Sequence, residues 1–158
     1  MQPIDIGEVL HNLAALYTPA FDDSGHPFDA GIETGLWLSG DPQLLFRLFA
    51  NLLDNAVRHT PGGTRIALRA TRRSGRIRIV VADQGAGIPE EDRDKVFRRF
   101  YRREQSRTTP GSGLGLALAA AIAELHGAAI SLEDNAPGLR VVVEFPAVEQ
   151  AILARAAE

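Results

Sequence analysis

The chain has 158 residues, of which 45% are apolar and 23% are charged, which predicts one globular domain with its own core and argues against disorder. It contains no cysteine, which excludes disulfide bonds, a thiol nucleophile and thiolate metal sites. The net charge of −3 gives no overall nucleic-acid signature, and the longest apolar run, residues 114–123, is too short to span a membrane.

Hydrophobic periodicity and turn residues predict the elements in chain order. The first half is predicted to hold a helix over 5–20, a loop with a short edge strand over 22–35, a short strand over 36–38 and a helix over 41–59. Two strands are predicted over 65–71 and 76–81, joined by a hairpin turn over 72–75. The second half is predicted to hold a short helix over 95–101, a polar stretch over 102–112, a long helix over 113–125, a hairpin of 129–133 with 139–145, and a short helix over 147–157.

Helix starts and strand faces follow from particular residues. Asp5 is a suitable N-cap for the first helix, and Asp41 followed by Pro42 is a typical start for the second. Six arginines alternate with apolar residues along the two middle strands and their turn: Arg65, Arg69, Arg72, Arg73, Arg76 and Arg78. This alternation predicts an exposed sheet face rather than a binding site. Helices mixed with hairpin-linked strands predict an α+β fold with helices layered on one face of a sheet.

The second helix carries an unusual polar face. At 100° per residue, five polar side chains fall within an arc of about 100°; they are Arg47, Asn51, Asp54, Asn55 and Arg58. Amide oxygens suit Mg²⁺, which keeps waters and phosphate oxygens in its shell. Arg58 is placed to meet a phosphate beside them. For this helix alone, a solvated face explains the pattern better than a cation site.

Two glycine-rich segments lie beyond it. Residues 83–89 (DQGAGIP) follow a strand, so Asp83 can accept a hydrogen bond from a ligand while the glycines let it approach, although an Asx turn fits equally. Residues 111–116 (GSGLGL) lead into a helix and expose amide groups suited to phosphate, with a tight packed loop as the alternative. The segment is neither a dinucleotide fingerprint nor a P-loop. Residues 102–112 offer almost nothing apolar to bury, which predicts a segment ordered by an anionic ligand or an ordinary surface loop.

Together these segments resemble the ATP-binding domain of sensor histidine kinases. Four segments resemble, in order, the N, G1, F and G2 boxes of that family: 51–60 (NLLDNAVRHT), 83–89 (DQGAGIP), 96–102 (VFRRFYR) and 111–117 (GSGLGLA). The resemblance covers most of the chain. It implies the Bergerat fold, a two-layer α/β sandwich in which a mixed, mainly antiparallel sheet of about five strands packs on three helices.

The resemblance also implies roles for single residues. Asn55 would hold Mg²⁺ with Asn51 lining the same site, and Asp83 would accept from the adenine amino group. The other residues implied to contact ATP are Arg58 and His59 after the asparagines, Gly85, Gly87 and Ile88 at the base, Arg102, Arg107 and Ser112 in a lid, and Gly113, Leu114, Gly115 and Leu116 at the phosphates. Phe97, Phe100 and Tyr101 would anchor the lid or belong to the core. Arg58 stands where the family often has lysine.

The family phosphorylates a histidine within a His-Glu or His-Asp motif on a separate helical dimerisation domain, and none of the four histidines here has that context. We therefore expect residues 1–158 to form a single ATP-binding catalytic domain, ordered over about 5–146, with a lid over about 101–112 and the phosphoacceptor domain outside this chain. Expected partners are that domain and, indirectly, a response regulator. We expect a monomer without nucleic-acid or membrane contact, lying on the cytoplasmic side of a membrane-bound sensor.

Four other functions remain as alternatives. Gyrase-type, chaperone and mismatch-repair ATPases share the fold but place a glutamate one helical turn before the Mg²⁺ asparagine, where this chain has Asn51, which cannot accept a proton from water. Anti-sigma-factor serine kinases tend to carry an acid there as well. A non-catalytic docking module would need decayed motifs, whereas all four look intact. Nucleic-acid binding through the arginine-rich strands lacks exposed aromatic residues for base stacking.

Overall fold

The computed structural model describes residues 1–93 and 115–148. Its elements are β1 (Gln2–Asp5), α1 (Ile6–Ser24), β2 (Phe28–Ile32), β3 (Trp37–Gly40), α2 (Pro42–Arg58), β4 (Ile66–Arg73), β5 (Arg76–Asp83), a 3-10 turn (Glu90–Asp92), α3 (Gly115–Leu125), β6 (Ala129–Asp134) and β7 (Leu139–Pro146). The predicted helix over 95–101, the lid over 101–112 and nearly all of the predicted helix over 147–157 lie outside the described residues.

Within the described residues, five strands form the main sheet in the order β2-β4-β5-β7-β6. β2 runs parallel to β4, and the other neighbouring pairs are antiparallel. The sheet is therefore mixed and mainly antiparallel, as expected. Asp83 ends β5 beside Leu139, the first residue of β7, so the β5 terminus lies against the turn between β6 and β7.

One face of the sheet packs against the helices and forms the core. Helix α2 contacts both α1 and α3, and its apolar side is buried: Leu45, Leu48, Phe49, Leu52, Leu53 and Ala56. These side chains meet alternate residues of the central strands, among them Ile66, Leu68, Ile77 and Ile79. The two-layer sandwich predicted for this chain is confirmed, and α2 presents its opposite, polar side away from the core.

The other sheet face carries ion pairs between strands, one of which, Arg78 to Glu133, reaches across β7. Arg69 pairs with Asp29, and Arg78 reaches Glu133 at 3.0 Å and Glu144 at 3.3 Å. The acids that neutralise these arginines come from β2, β6 and β7, which explains why none is adjacent in sequence. The arginine-rich strands are thus an exposed, internally paired sheet face, as predicted.

Helix ends agree with their caps, with one correction. The Asp5 carboxylate accepts from the Gly7 N–H at 2.9 Å, and Asp41 accepts from the two N–H groups that follow Pro42. Helix α1 continues past Pro19 to Ser24, so the expected end at residue 20 and the start of the loop at residue 22 were wrong. The helix ends where Gly25 adopts a left-handed φ of 75°.

A second small sheet was not predicted. β1 pairs antiparallel with β3, and on the other side the Val148 N–H donates to the Trp37 carbonyl at 2.9 Å. Four residues ahead of a helix give no periodicity to read from the sequence, and β1 is stabilised by pairing with β3 and by Ile4, which is buried in the core. No helix within the described ranges is long and apolar enough to cross a membrane.

Candidate functional site

The polar side of α2 divides into two groups. Tyr17 of α1 donates its hydroxyl to the Asp54 carboxylate at 2.9 Å. Burial and this hydrogen bond to a carboxylate raise the pKa of Tyr17. Asp54 therefore belongs to the contact between α1 and α2. The rest of the polar side of α2 includes Asn51 and Asn55, one turn apart, and the exposed Arg58.

Asn51 has an unusual environment on this face of α2. The Asn51 side-chain nitrogen is buried and has no hydrogen-bond partner among the described residues. Buried amide groups normally have a hydrogen-bond partner. A phosphate oxygen would accept from the Asn51 nitrogen. With the oxygen and nitrogen of the amide exchanged by a 180° flip, the Asn51 oxygen would face a hydrated cation instead. In the described part of the chain, no three histidine or carboxylate side chains cluster to hold a metal ion. The unpartnered Asn51 amide, and the Asn55 amide one turn further on, are side chains of the type that supplies oxygen to Mg²⁺ beside water and phosphate.

Asp83 stands at the end of β5 with a partly buried carboxylate. One carboxylate oxygen accepts from the Gly85 N–H at 2.9 Å, and the Leu139 N–H also bonds the carboxylate. Burial raises the pKa of Asp83, while these two hydrogen bonds and the nearby His59 lower it. Gly85, two residues after Asp83, packs against Thr60, two residues after the end of α2, so the structure brings the first and second motifs together.

The segment after Asp83 is tightly packed from one side by Thr60. A Cβ at Gly85 would lie 2.8 Å from the Thr60 methyl carbon. The Thr60 hydroxyl donates to the Ala56 carbonyl at 2.6 Å, and Nε2 of the buried His26 lies 2.9 Å from the same hydroxyl oxygen. The hydroxyl proton is already used, so Nε2 donates to Thr60. Sequence analysis missed Thr60 and His26 as supports of this segment because they are 34 residues apart.

The turn between β6 and β7 supports the segment from the other side. A Cβ at Gly87 would lie 2.9 Å from the Gly138 carbonyl oxygen, and a Cβ at Gly138 would lie 1.9 Å from the Asp83 carbonyl oxygen. The Asn135 amide also donates to the Asp83 carbonyl at 2.7 Å. The sequence analysis identified 135–138 only as a hairpin turn, and nothing local signalled its contact with Asp83.

The structure describes some of the remaining predicted site residues and not others. Gly87 and Ile88 continue the segment, and the Ile88 carbonyl accepts from Arg93 Nε at 3.2 Å. Gly115 and Leu116 open α3, where Leu116 is half-buried against the core. Five predicted residues lie outside the described residues: Arg102, Arg107, Ser112, Gly113 and Leu114.

This combination of fold and site defines a class of nucleotide-binding protein. The sequence profile of the family described as "Histidine kinase-, DNA gyrase B-, and HSP90-like ATPase" matches residues 40–149, well over half of the chain. The chain belongs to this family of ATP-binding domains. The matched range contains α2, Asp83 and the segment that opens α3.

Individual relatives narrow the class. The signal transduction histidine-protein kinase/phosphatase MprB of Mycobacterium sp. (strain KMS) is 45% identical over 112 residues, which are 70% of this chain and 22% of that protein. A solved structure of a mycobacterial sensor histidine kinase MprB is 33% identical with a TM-score of 0.81, covering 92% of this chain and 97% of that one. The solved ATP-binding domain of PrrB from Mycobacterium tuberculosis is 31% identical with a TM-score of 0.72, covering 94% and 98%.

These relatives identify the chain as the catalytic ATP-binding domain of a sensor histidine kinase, which confirms the resemblance of the four motifs. The chain spans about a fifth of the length of the curated relative named above. The roles assigned to single residues stay predictions.

Proposed function

We propose that this chain binds Mg²⁺-ATP and presents the γ-phosphoryl group for transfer to a histidine on a separate dimerisation domain. The observation that carries the proposal is Asp83, a half-buried carboxylate at a strand end with glycines after it. An ionised carboxylate accepts hydrogen bonds only, so it pairs with the amino group of adenine and repels the carbonyl oxygen that guanine has at that position.

The polar face of α2 supports the phosphate end of the proposal. Asn55 and Asn51 supply amide groups for Mg²⁺, and Arg58 supplies a cation for the phosphates. Mg²⁺ neutralises phosphate charge when bound. Asn51 stands where a hydrolase of this fold needs a carboxylate base, and an amide cannot take a proton from water. Phosphoryl transfer depends mostly on positioning and charge neutralisation, so a site without that base fits a kinase.

The proposal extends to partners and location. The acceptor histidine would lie in the kinase's own dimerisation domain, and the phosphoryl group would pass from there to a response regulator. Because ATP is the substrate, we infer that the domain works on the cytoplasmic side of a sensor, as a monomeric unit when separated from the dimerisation domain. The lid residues Arg102, Arg107 and Ser112 would close on the phosphates.

Calorimetric titration tests the recognition of adenine and the role of Mg²⁺ separately. A non-hydrolysable ATP analogue should bind more tightly with Mg²⁺ than without it, and more tightly than the matching GTP analogue. Asp83→Asn should weaken the ATP analogue about 10-fold or more, since a hydrogen bond to a charged group contributes about 1.5–3 kcal/mol. The new amide nitrogen can donate to guanine, so selectivity should fall as well.

Asn55→Ala should remove the effect of Mg²⁺ on binding and leave the unfolding midpoint within a few degrees of the parent, because this face of α2 points away from the core. Asn12→Ala, an exposed asparagine within α1, is the matched control and should retain the Mg²⁺ effect. Binding that does not distinguish adenine from guanine, or an Mg²⁺ effect that survives in Asn55→Ala, contradicts the proposal. Hydrolysis of ATP by the chain alone would favour the ATPase alternative.

A further inference from the structure

Asn135, in the turn between β6 and β7, has both ends of its side-chain amide occupied. Its Nδ2 donates to the Asp83 carbonyl oxygen at 2.7 Å, and its Oδ1 accepts from Arg140 Nε at 2.9 Å. A guanidinium can only donate and a carbonyl can only accept, so these two partners fix which atom of the amide is nitrogen. The side chain therefore has one orientation, and that orientation is directed at Asp83.

The backbone of the turn over 135–138 packs closely against the chain at Asp83. The Asn135 N–H donates to the Gly138 carbonyl at 3.0 Å and closes the turn. Gly138 then packs so closely on Asp83 that a Cβ there would lie 1.9 Å from the Asp83 carbonyl oxygen. The turn over 135–138, which is 52 residues away in sequence, therefore holds the Asp83 carbonyl from one side, while β4 pairs with Asp83 on the other.

Both polar ends of Asp83 receive donors from this one hairpin. Its carbonyl accepts from Asn135, and its carboxylate accepts from the Leu139 N–H as well as from Gly85. The Leu139 bond is part of the backbone and would persist in any side-chain variant. The Asn135 bond is the one that a substitution can remove. Its loss would leave the Asp83 carbonyl without this donor, while the Gln84 N–H of the same peptide group stays bonded to the Arg65 carbonyl at 3.1 Å.

We propose that Asn135 is a positioning residue that orients Asp83 for adenine and so determines the nucleotide selectivity of the site. This inference rests on the proposed function. Asn135 acts through Asp83, whose carboxylate must point outward from the end of β5 while its carbonyl stays fixed. A hydrogen-bonding site discriminates between bases only as well as its acceptor is held in place.

The test uses Asn135→Asp, which keeps the side-chain shape and the acceptor for Arg140 but has no donor for the Asp83 carbonyl. Asn135→Ala is the second variant, free of the added charge. Asp134→Ala is the matched control, because the Asp134 carboxylate accepts from the Ala136 N–H at 3.0 Å in the same turn and makes no bond to Asp83. Calorimetry with ATP and GTP analogues, urea unfolding and the amide resonance of Gly85 are measured for each.

Both Asn135 variants should lower the affinity for the ATP analogue about fivefold, the range of a single neutral hydrogen bond. The ratio of ATP to GTP affinity should fall by a similar factor, and the Gly85 amide resonance should shift. Asp134→Ala should change neither the ratio nor that resonance. A loss in the free energy of unfolding of the Asn135 variants should not account for the change in the ratio of ATP to GTP affinity. A purely structural role would weaken the binding of both nucleotides equally.

Two outcomes overturn the inference by itself. One is adenine selectivity that persists in both Asn135 variants of a selective parent chain. The other is an equal loss of selectivity in Asp134→Ala, which would assign the effect to general loosening of the turn. If the unmodified chain binds neither analogue, the proposed function fails and the selectivity role of Asn135 fails with it, so the two failures are distinguishable.

Discussion

Gly138→Ala should disrupt the nucleotide site while leaving most of the core in place. The new Cβ would lie 1.9 Å from the Asp83 carbonyl oxygen and 2.7 Å from the carbonyl carbon. Both are backbone atoms, so no side chain can rotate away. The two turns must separate by about 1 Å before the contact reaches the closest distances that Cβ atoms tolerate. Hydrogen bonds of about 2.7–3.2 Å do not survive a displacement of that size.

The size of the effect follows from what Asp83 loses. A hydrogen bond from a ligand to a charged acceptor contributes about 1.5–3 kcal/mol, so the affinity for an ATP analogue should fall about 10- to 150-fold. A separate cost comes from alanine at a φ of 106°, about 1–3 kcal/mol of stability for a strained backbone position. Calorimetry measures the first effect and urea unfolding the second.

Gly75→Ala is the matched control for backbone strain. Gly75 also has a positive φ, of 75°, but a Cβ there meets nothing within 4 Å, and it lies in the hairpin turn at the opposite end of β5. This variant should lose about 1 kcal/mol of stability and keep its nucleotide affinity. The reasoning is refuted if Gly138→Ala binds the ATP analogue within twofold of the parent, or if Gly75→Ala weakens binding as much.

Three further predictions concern stability. His126→Ala should cost about 3 kcal/mol in urea unfolding, because the buried ring accepts from the Asp41 N–H at 3.1 Å and bonds the Ile122 carbonyl at 2.8 Å. The control His11→Ala, at an exposed position, should cost under about 0.5 kcal/mol. Equal losses in the two variants would contradict a stabilising role for the two His126 hydrogen bonds. Thr60→Val should cost about 1–2 kcal/mol through the lost hydroxyl bonds, whereas an unchanged unfolding free energy would show that the residue-60 carbonyl, 3.2 Å from His26 Nε2, is a sufficient partner for the ring. Burial raises the pKa of Asp83 in the folded chain. The folded chain therefore keeps the Asp83 carboxyl proton to higher pH than the unfolded chain does. The free energy of unfolding falls as pH rises from the ordinary pKa of an aspartate through the raised pKa of Asp83. Asp83→Asn without nucleotide should therefore match the parent below that window and gain stability over the parent above it; a gain that appears only at low pH would reverse the sign of this argument.

Local features of the chain were predictable because their causes are local. Asp5 and Asp41 cap the helices that follow them, since a capping side chain needs only the next two or three residues. Helix α2 could be divided into a buried and a polar face from its period alone. The alternating strands and the two hairpins were predictable for the same reason.

Errors arose where a distant partner overrides the local pattern. β1 pairs with β3, more than 30 residues later. The end of α1 is a different case, because its cause is local: the helix continues past Pro19 to Gly25, which adopts a positive φ. Asp54 looked like part of the ligand-facing arc, yet Tyr17, 37 residues earlier, accounts for its orientation. A helical wheel gives the direction of a side chain but not the neighbour it meets.

The sequence by itself determined the family, the order of the motifs and the residue types offered to a nucleotide. These depend on short segments whose spacing is written in the chain. Only the tertiary structure decided how Asp83 is held, because the residues that support it come from the end of α2 and from the turn between β6 and β7. Strands that are adjacent in the sheet bring together residues that are far apart in sequence, so the support of this carboxylate is a property of strand order and register.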